Sequence, residues 1–313
     1  MSGSPRTSVH RPLSVVGDIA WDVALITGQR DGDEKVTATS SYRGVGGTAA
    51  NTAVVAAHLG TDTRLFGSIG TDLTGDVVLA GLSHSGVRLE GIERAEGDTA
   101  VAVITIGPDG DRTVVVDRGV ADELAHADPS QVGDGDAVVY LANVPREVAE
   151  GYLDAGVETL VVGVESRQVA TCSTRWRDLL GRVSVSVMNR HAADHLGGRD
   201  GLRQLCSESG ATVLVTLGQE GSVLLTPEEE FTAPAPIVRV VDATGAGDCL
   251  AGVFCHCIAS SVDLGHATRL ATVAASLSTR VIGAQGSLPD LVEIQRHLAL
   301  FEQTWVGASG PSR

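Results

Sequence analysis

Short, mostly apolar runs recur along this chain at spacings that leave room for a helix between them. Residues 13–19, 64–69, 137–141, 160–164, 183–188 and 212–217 read as strands with little polar alternation, the pattern of strands covered on both faces. Helix-length stretches lie between most of them. The clearest is 48–59, rich in Ala and Val and followed by Gly60, the residue type that most easily closes a helix in the left-handed conformation. Strands alternating with helices predict a three-layer α/β/α fold, with a mostly parallel sheet and right-handed crossovers. Three successive helices are predicted near the end, over 247–260, 264–281 and 288–305.

Two stretches break this rhythm. Residues 23–42 are polar and Thr-rich, and 99–117 hold an apolar run over 101–106, the turn Gly107-Pro108-Asp109-Gly110 and a second run over 113–116, a hairpin pattern. Together they predict a small antiparallel β lid made of two insertions. It would either close over a site or pair two copies of the chain. The predicted organisation is a discontinuous core over 13–20, 44–97 and 119–305, a lid over 21–43 and 98–118, and polar tails over 1–12 and 306–313.

Composition narrows the functional classes. The 313 residues are 43% hydrophobic and 20% charged, as in an ordinary globular chain. A net charge of −16, with no run among the 23 Lys and Arg residues, argues against a nucleic-acid surface, which needs clustered cations to neutralise phosphates. The first residues lack the apolar centre of a signal peptide, and no apolar stretch reaches the length of a membrane span. A cytoplasmic location, away from membranes, is expected. Five cysteines form no C-x-x-C pair and are expected to be reduced and buried. Cys255-His256-Cys257 is not expected to bind metal, because residues two apart on a helix point to different sides. There is no internal repeat.

The strongest chemical signal is Asp242-Ala243-Thr244-Gly245-Ala246-Gly247-Asp248, running straight into the apolar stretch 249–258. Small residues let backbone N–H groups approach a ligand, and a helix start adds unpaired donors and the positive end of the dipole. That is an anion site. A carboxylate inside it has an evident task, accepting a proton from a nucleophile that attacks a bound phosphoryl group. The structural alternative is that Asp248 simply caps the helix.

Three further features accompany this turn: Asp22 after the first strand, Gly46-Gly47-Thr48-Ala49-Ala50-Asn51 opening the first long helix, and Thr216-Leu217-Gly218-Gln219-Glu220-Gly221 ending a strand in a glycine loop. Their order and spacing resemble the ribokinase-like (PfkB) family of carbohydrate and nucleoside kinases, over about residues 13–305. The resemblance implies that Asp248 is the general base and that the N–H groups of Gly245, Ala246 and Gly247 form the anion hole. It assigns Asp22, Gly46, Gly47 and Asn51 to the sugar, and Asn189, Thr216, Gly218, Gly221 and Thr244 to ATP. It also implies magnesium, and a monovalent cation such as potassium near Asp242, Ala284 and Ser287 in the loop Gly283-Ala284-Gln285-Gly286-Ser287.

Two positions depart from the family pattern. The Glu of its N-x-x-E motif is Ala192, with Asp194 as a partial stand-in, and Thr48 replaces the Lys of ribokinases proper, which weighs against ribose. The expected activity is ATP-dependent transfer of a phosphoryl group to a hydroxyl of a sugar or sugar-like substrate. The alternatives are a nucleoside kinase and, because of Ala192, a weakened relative that only binds sugar or nucleotide. Aromatic residues make up 3% of the chain, and the lid offers only Trp21 and Tyr42 to stack a base, which favours a sugar. A homodimer through the lid is a further expectation. No Gly-x-Gly-x-x-Gly follows the first strand, so nothing supports a dinucleotide site.

Overall fold

The computed structural model describes residues 11–28, 36–108, 112–124, 127–133 and 135–308, with side chains as far as 302. Strands β1 (Leu13–Gly17), β2 (Ala20–Thr27) and β3 (Ala38–Gly46) lead into helix α1 (Thr48–His58). Next come β4 (Thr63–Gly70), α2 (Leu73–Leu82), β5 (Arg88–Ala95), β6 (Ala100–Ile106) and β7 (Arg112–Asp117). Helices and strands then alternate through α3 (Pro129–Val132), β8 (Val138–Ala142), α4 (Arg146–Asp154), β9 (Thr159–Val164), α5 (Ser166–Ala170) and α6 (Ser173–Leu180). The chain continues with β10 (Val185–Asn189), α7 (Arg190–His195), α8 (Gly198–Ser209), β11 (Thr212–Thr216), β12 (Ser222–Leu225) and β13 (Glu230–Ala233). Three helices close it: α9 (Ala246–Ala259), α10 (Leu264–Ser278) and α11 (Leu291–Ala308).

Nine strands form the large sheet in the order β13-β12-β11-β10-β9-β8-β1-β4-β5, parallel from β11 to β5 and antiparallel only at β11–β12 and β12–β13. Both faces are covered. Val15, Leu65, Tyr140 and Val187 pack with Val54, Phe254 and Leu270 on one side. Val16, Leu141, Val162 and Val215 pack with Tyr152, Leu179 and Leu202 on the other. Burial of both faces is why these strands read as continuous apolar runs.

The small sheet has the order β3-β2-β6-β7, antiparallel except for the parallel pairing of β2 with β6. The run expected over 13–19 is divided by it: β1 ends at Gly17, and the chain turns through Asp18 and Ile19 into β2. The hairpin expected over 101–116 is β6–β7, and its turn residues Asp109 and Gly110 lie outside the described residues. Two strands had no counterpart in the apolar pattern, β5 and β13. They are the two edges of the large sheet, where one side lacks a neighbour and polar residues are tolerated.

Of the stretches read as tails, residues 1–10 and 309–313 lie outside the described residues. Arg11 and Pro12 join the core, through Arg11 N–H to the Ala259 carbonyl at 3.0 Å and Val138 N–H to the Pro12 carbonyl at 2.9 Å. All five cysteines are free thiols, and four are buried. Among the described residues no helix is long and apolar enough to cross a membrane, and no group of three or more His, Cys, Asp or Glu residues could hold a metal.

Candidate active site

In an open parallel sheet, ligands bind outside the carboxyl ends of the strands, where neighbouring connections diverge to opposite sides. Here that point lies between β1 and β8, which pair in register to Gly17 and Ala142. Asp18 and Asn143 therefore leave the sheet side by side, and Asn143 Nδ2 donates to Asp18 Oδ2 at 3.2 Å.

The turn from β3 into α1 is pressed against the same edge. Gly47 has φ +91°, and a Cβ there would lie 2.5 Å from the Asp18 carbonyl oxygen. A Cβ on Gly46 would sit on the Asp22 carboxylate. These glycines are required by close approach and, at Gly47, by a backbone conformation that side chains resist. One turn into α1, Asn51 Nδ2 donates to Asp248 Oδ2 at 2.8 Å across 197 residues of sequence. Gln285 Nε2 donates to Asn51 Oδ1 at 2.9 Å and so fixes the orientation of that amide.

The glycine turn is held by Asp242. Its Oδ1 accepts from the Thr244 N–H at 2.9 Å and hydroxyl at 2.7 Å, and its Oδ2 accepts from Gly283 N–H at 2.9 Å. The carboxylate thus ties the turn to the loop at 283–286. Gly245, at φ +77°, precedes α9, and a Cβ there would meet Ala284 at 2.5 Å. Open space borders Gly247. Asp242 and Ala284, two of the residues expected beside a monovalent cation, are thereby brought together at this turn. From the small sheet, the Tyr42 ring lies against Gly283, and Arg112 Nη1 donates to Thr244 Oγ1 at 3.3 Å.

Carboxylates dominate the electrostatics. Burial pushes Asp248 up to about 7; the Asn51 hydrogen bond opposes this, while the charges of Asp18, Glu165 and Asp22 add to it. Burial and the charges of Asp18 and Asp242 raise Asp22 to about 6. Asp22 is buried, and among the described residues no hydrogen bond reaches its carboxylate. A buried carboxylate without donors is costly unless a ligand supplies them.

At the other end of the edge, Asn189 and Thr216 are neighbours in the β10–β11 register. Beyond Thr216 the chain turns through Gly218 (φ +62°) and Gly221 (φ +99°), and open space borders Gly218. Asn189 caps α7, accepting from Ala192 N–H at 2.8 Å. Ala192 is fully buried, on the side of the sheet where Val162 and Val215 pack. Asp194, the proposed partial stand-in for the missing carboxylate, lines a cavity with Arg190, Leu217 and Glu220, beside the Thr216–Gly221 loop. These residues offer no protein cage for magnesium; they fit an ion carried by nucleotide phosphates and water, which needs few protein ligands.

Several residues around the site were not found from sequence. Asp18, Asn143 and Glu165 each follow the carboxyl end of a parallel strand, a position that would have singled them out once strand ends were fixed. Arg112, Arg118 and Arg167 carry no local pattern, and Gln285 lies within the loop at 283–287, where the sequence singled out no role for it.

The family model for the pfkB family carbohydrate kinases matches residues 11–291. The chain belongs to that family. Its members are phosphotransferases, and the sequence resemblance read from the glycine motifs holds over nearly the whole chain. A ribokinase from Lactococcus lactis is 26% identical over 303 residues, covering 93% of this chain and 98% of that one. The structure of Arabidopsis thaliana ribokinase complexed with ribose and ATP matches with a TM-score of 0.76 at 24% identity, covering 92% of this chain and 98% of the other. A Burkholderia thailandensis nucleoside kinase in complex with inosine matches with a TM-score of 0.80 at 21% identity, covering 92% and 97%. The fold is shared with both sugar and nucleoside kinases.

Proposed function

We propose that this carbohydrate kinase transfers the γ-phosphoryl group of ATP to a hydroxyl of a sugar or sugar-like acceptor. The observation that carries the reading is the Asn51–Asp248 hydrogen bond, which fixes a carboxylate of raised proton affinity at the start of α9. Asp248 takes the acceptor's proton as its oxygen attacks phosphorus. The N–H groups of Gly245 and Gly247, with that of Ala246 once it leaves the Ala243 carbonyl it meets at 3.3 Å, receive the charge on the phosphoryl oxygens, and the helix dipole adds to them. Asp22 accepts hydrogen bonds from acceptor hydroxyls, with Gly46, Gly47 and Asn51 closing around the same molecule. Asn189, Thr216, Gly218, Gly221 and Thr244 border the nucleotide. Magnesium, when bound, neutralises phosphate charge. Potassium beside Asp242, Ala284 and Ser287 would stiffen the turn, and stimulation by potassium over sodium tests it.

A sugar is favoured over a nucleoside because both lid aromatics are already engaged. Trp21 is partly buried against the main core and Tyr42 lies against Gly283, which leaves less of either ring to stack a base. The small sheet serves as lid, and its exposed Val103, Val114, Val115 and Val116 suit contact with a second copy of the chain. Because ATP is the donor, the cytoplasm is the expected compartment. ADP release over a panel of pentoses, hexoses and nucleosides tests the reading. Turnover with a sugar is expected, and no turnover with any acceptor at high magnesium would point to a relative that only binds.

A further inference from the structure

A chain of hydrogen bonds runs from the backbone of β3 to Asp248, and its middle link, Gln285, comes from the loop after α10. Gln285 Nε2 donates to the Val45 carbonyl at 3.3 Å and to Asn51 Oδ1 at 2.9 Å, and Asn51 Nδ2 donates to Asp248 Oδ2 at 2.8 Å. These contacts join residues 240, 234 and 197 apart in sequence. Which end of a side-chain amide faces a neighbour is decided by what that neighbour can do. A main-chain carbonyl only accepts, so the Val45 oxygen turns the Gln285 amide with its nitrogen inward. The second hydrogen of that nitrogen requires another acceptor, which Asn51 supplies with its oxygen, and the Asn51 nitrogen is left facing Asp248. The polarity presented to the carboxylate is thus set at the far end of the chain, by the backbone of β3.

The loop that carries Gln285 is itself fixed. Gly286 N–H donates to the Gly283 carbonyl at 2.9 Å, closing a tight turn around residues 284 and 285. Gly283 N–H is held by Asp242 Oδ2 at 2.9 Å, and the Tyr42 ring lies on Gly283. Asn51 is buried, and rotation of its amide alone would exchange oxygen and nitrogen without moving the backbone. Reversed, it would set an oxygen against a carboxylate oxygen, an arrangement that only a protonated carboxyl satisfies. Among the described residues, Gln285 and Asp248 are the only hydrogen-bond partners of the Asn51 side chain. Without the Gln285 donor, Asp248 alone would decide which way that amide points.

We propose that Gln285 is a positioning residue for phosphoryl transfer: anchored on the Val45 carbonyl, it holds the Asn51 amide nitrogen toward Asp248 and so keeps that carboxylate an acceptor, ready for a substrate proton. The inference rests on the reading of Asp248 as the base. Electrostatics gives the orientation its weight. Burial and the charges of Asp18, Glu165 and Asp22 all raise the proton affinity of Asp248, and the Asn51 hydrogen bond opposes them. Tyr140 on β8 and Cys249 on α9 also sense the Asp248 charge, but burial pushes both far up, so they stay neutral where Asp248 titrates. Among the described residues, none of Asp18, Asp22 and Glu165 is hydrogen-bonded to Asn51 or Gln285, so replacing Gln285 leaves their contacts in place.

The test follows Asp248 with and without turnover. In substrate-free protein, the infrared band of protonated carboxyls that Asp248→Asn removes is titrated with pH. In parallel, the pH–rate profile is recorded with saturating ATP and the sugar that gives the fastest ADP release. Gln285→Met keeps the length of the side chain and removes its donors; Gln285→Leu repeats the change should the first variant fail to fold. Either should raise the Asp248 midpoint by about one pH unit, within the worth of one hydrogen bond to a charged group, and leave KM for ATP unchanged. Asn51→Ala should move the midpoint at least as far. The double variant should move no further than Asn51→Ala alone, because Gln285 then has nothing to orient. A midpoint unmoved by Gln285→Met, or a shift that adds to that of Asn51→Ala, overturns the proposal and, with turnover present, leaves the kinase reading standing. If the infrared midpoint moves as expected but no acceptor is phosphorylated, the orienting role stands and the kinase reading falls; if neither occurs, both fall.

Discussion

As the proposed base, Asp248 would set the pH behaviour of this enzyme. The carboxylate must be ionised to take a proton, and burial raises its midpoint to about 7. Turnover with saturating substrates should therefore rise as pH increases through about 7, which a pH–rate profile reads directly. The Asn51 hydrogen bond lowers the midpoint, so Asn51→Ala should move the profile to higher pH; a downward move would contradict the role given to that contact. Stability should run the other way. Asp248 is charged above 3.8 in an unfolded chain but only above about 7 in the folded one, so ionising it costs the fold progressively as pH rises between those values. Asp248→Asn should thus melt higher than the wild type at pH 8, with the advantage shrinking toward pH 4.

At the scale of elements, the site depends on glycines that let β3, α1 and the turn before α9 approach one another. Gly46→Ala would drive a methyl group into the Asp22 carboxylate. The expected cost is about 1–3 kcal/mol in denaturant unfolding, the range for overpacking a tight contact, together with a raised KM for the acceptor. A KM unchanged from wild type would remove Asp22 from the acceptor site. How far these elements could be read from sequence follows from where they lie. The inner strands and the turns at Gly46-Gly47 and Gly245-Ala246-Gly247 are encoded locally, by burial of both faces and by runs of small residues. Edge strands β5 and β13 are not, because one exposed side permits Arg, Glu and Thr. Nor is the Asp18–Asn143 contact, which joins residues 125 apart, or the approach of Arg118 to Asp18 and of Arg167 to Asn143. Those placements depend on strand order, which no local pattern records.

As a whole molecule, the chain is a three-layer kinase core with a small sheet reaching over its working edge. The outer valines of that sheet are half or more exposed at Val114, Val115 and Val116, an apolar patch that pairing of two copies would cover. Sedimentation should show a dimer for the wild type and a monomer for Val115→Glu; a wild type that stays monomeric at tens of micromolar, roughly the range of weak pairs, would confine the lid to closure. Between the core and the small sheet lies the proposed phosphoryl-transfer centre, with Asp248 as its base. The most direct measurement is turnover of Asp248→Asn beside the wild type, with nucleotide affinity determined on the same samples. A loss of about 10²–10⁴ in rate is expected, the contribution of a positioned base, with nucleotide affinity retained. Turnover within a few-fold of the wild type would contradict it.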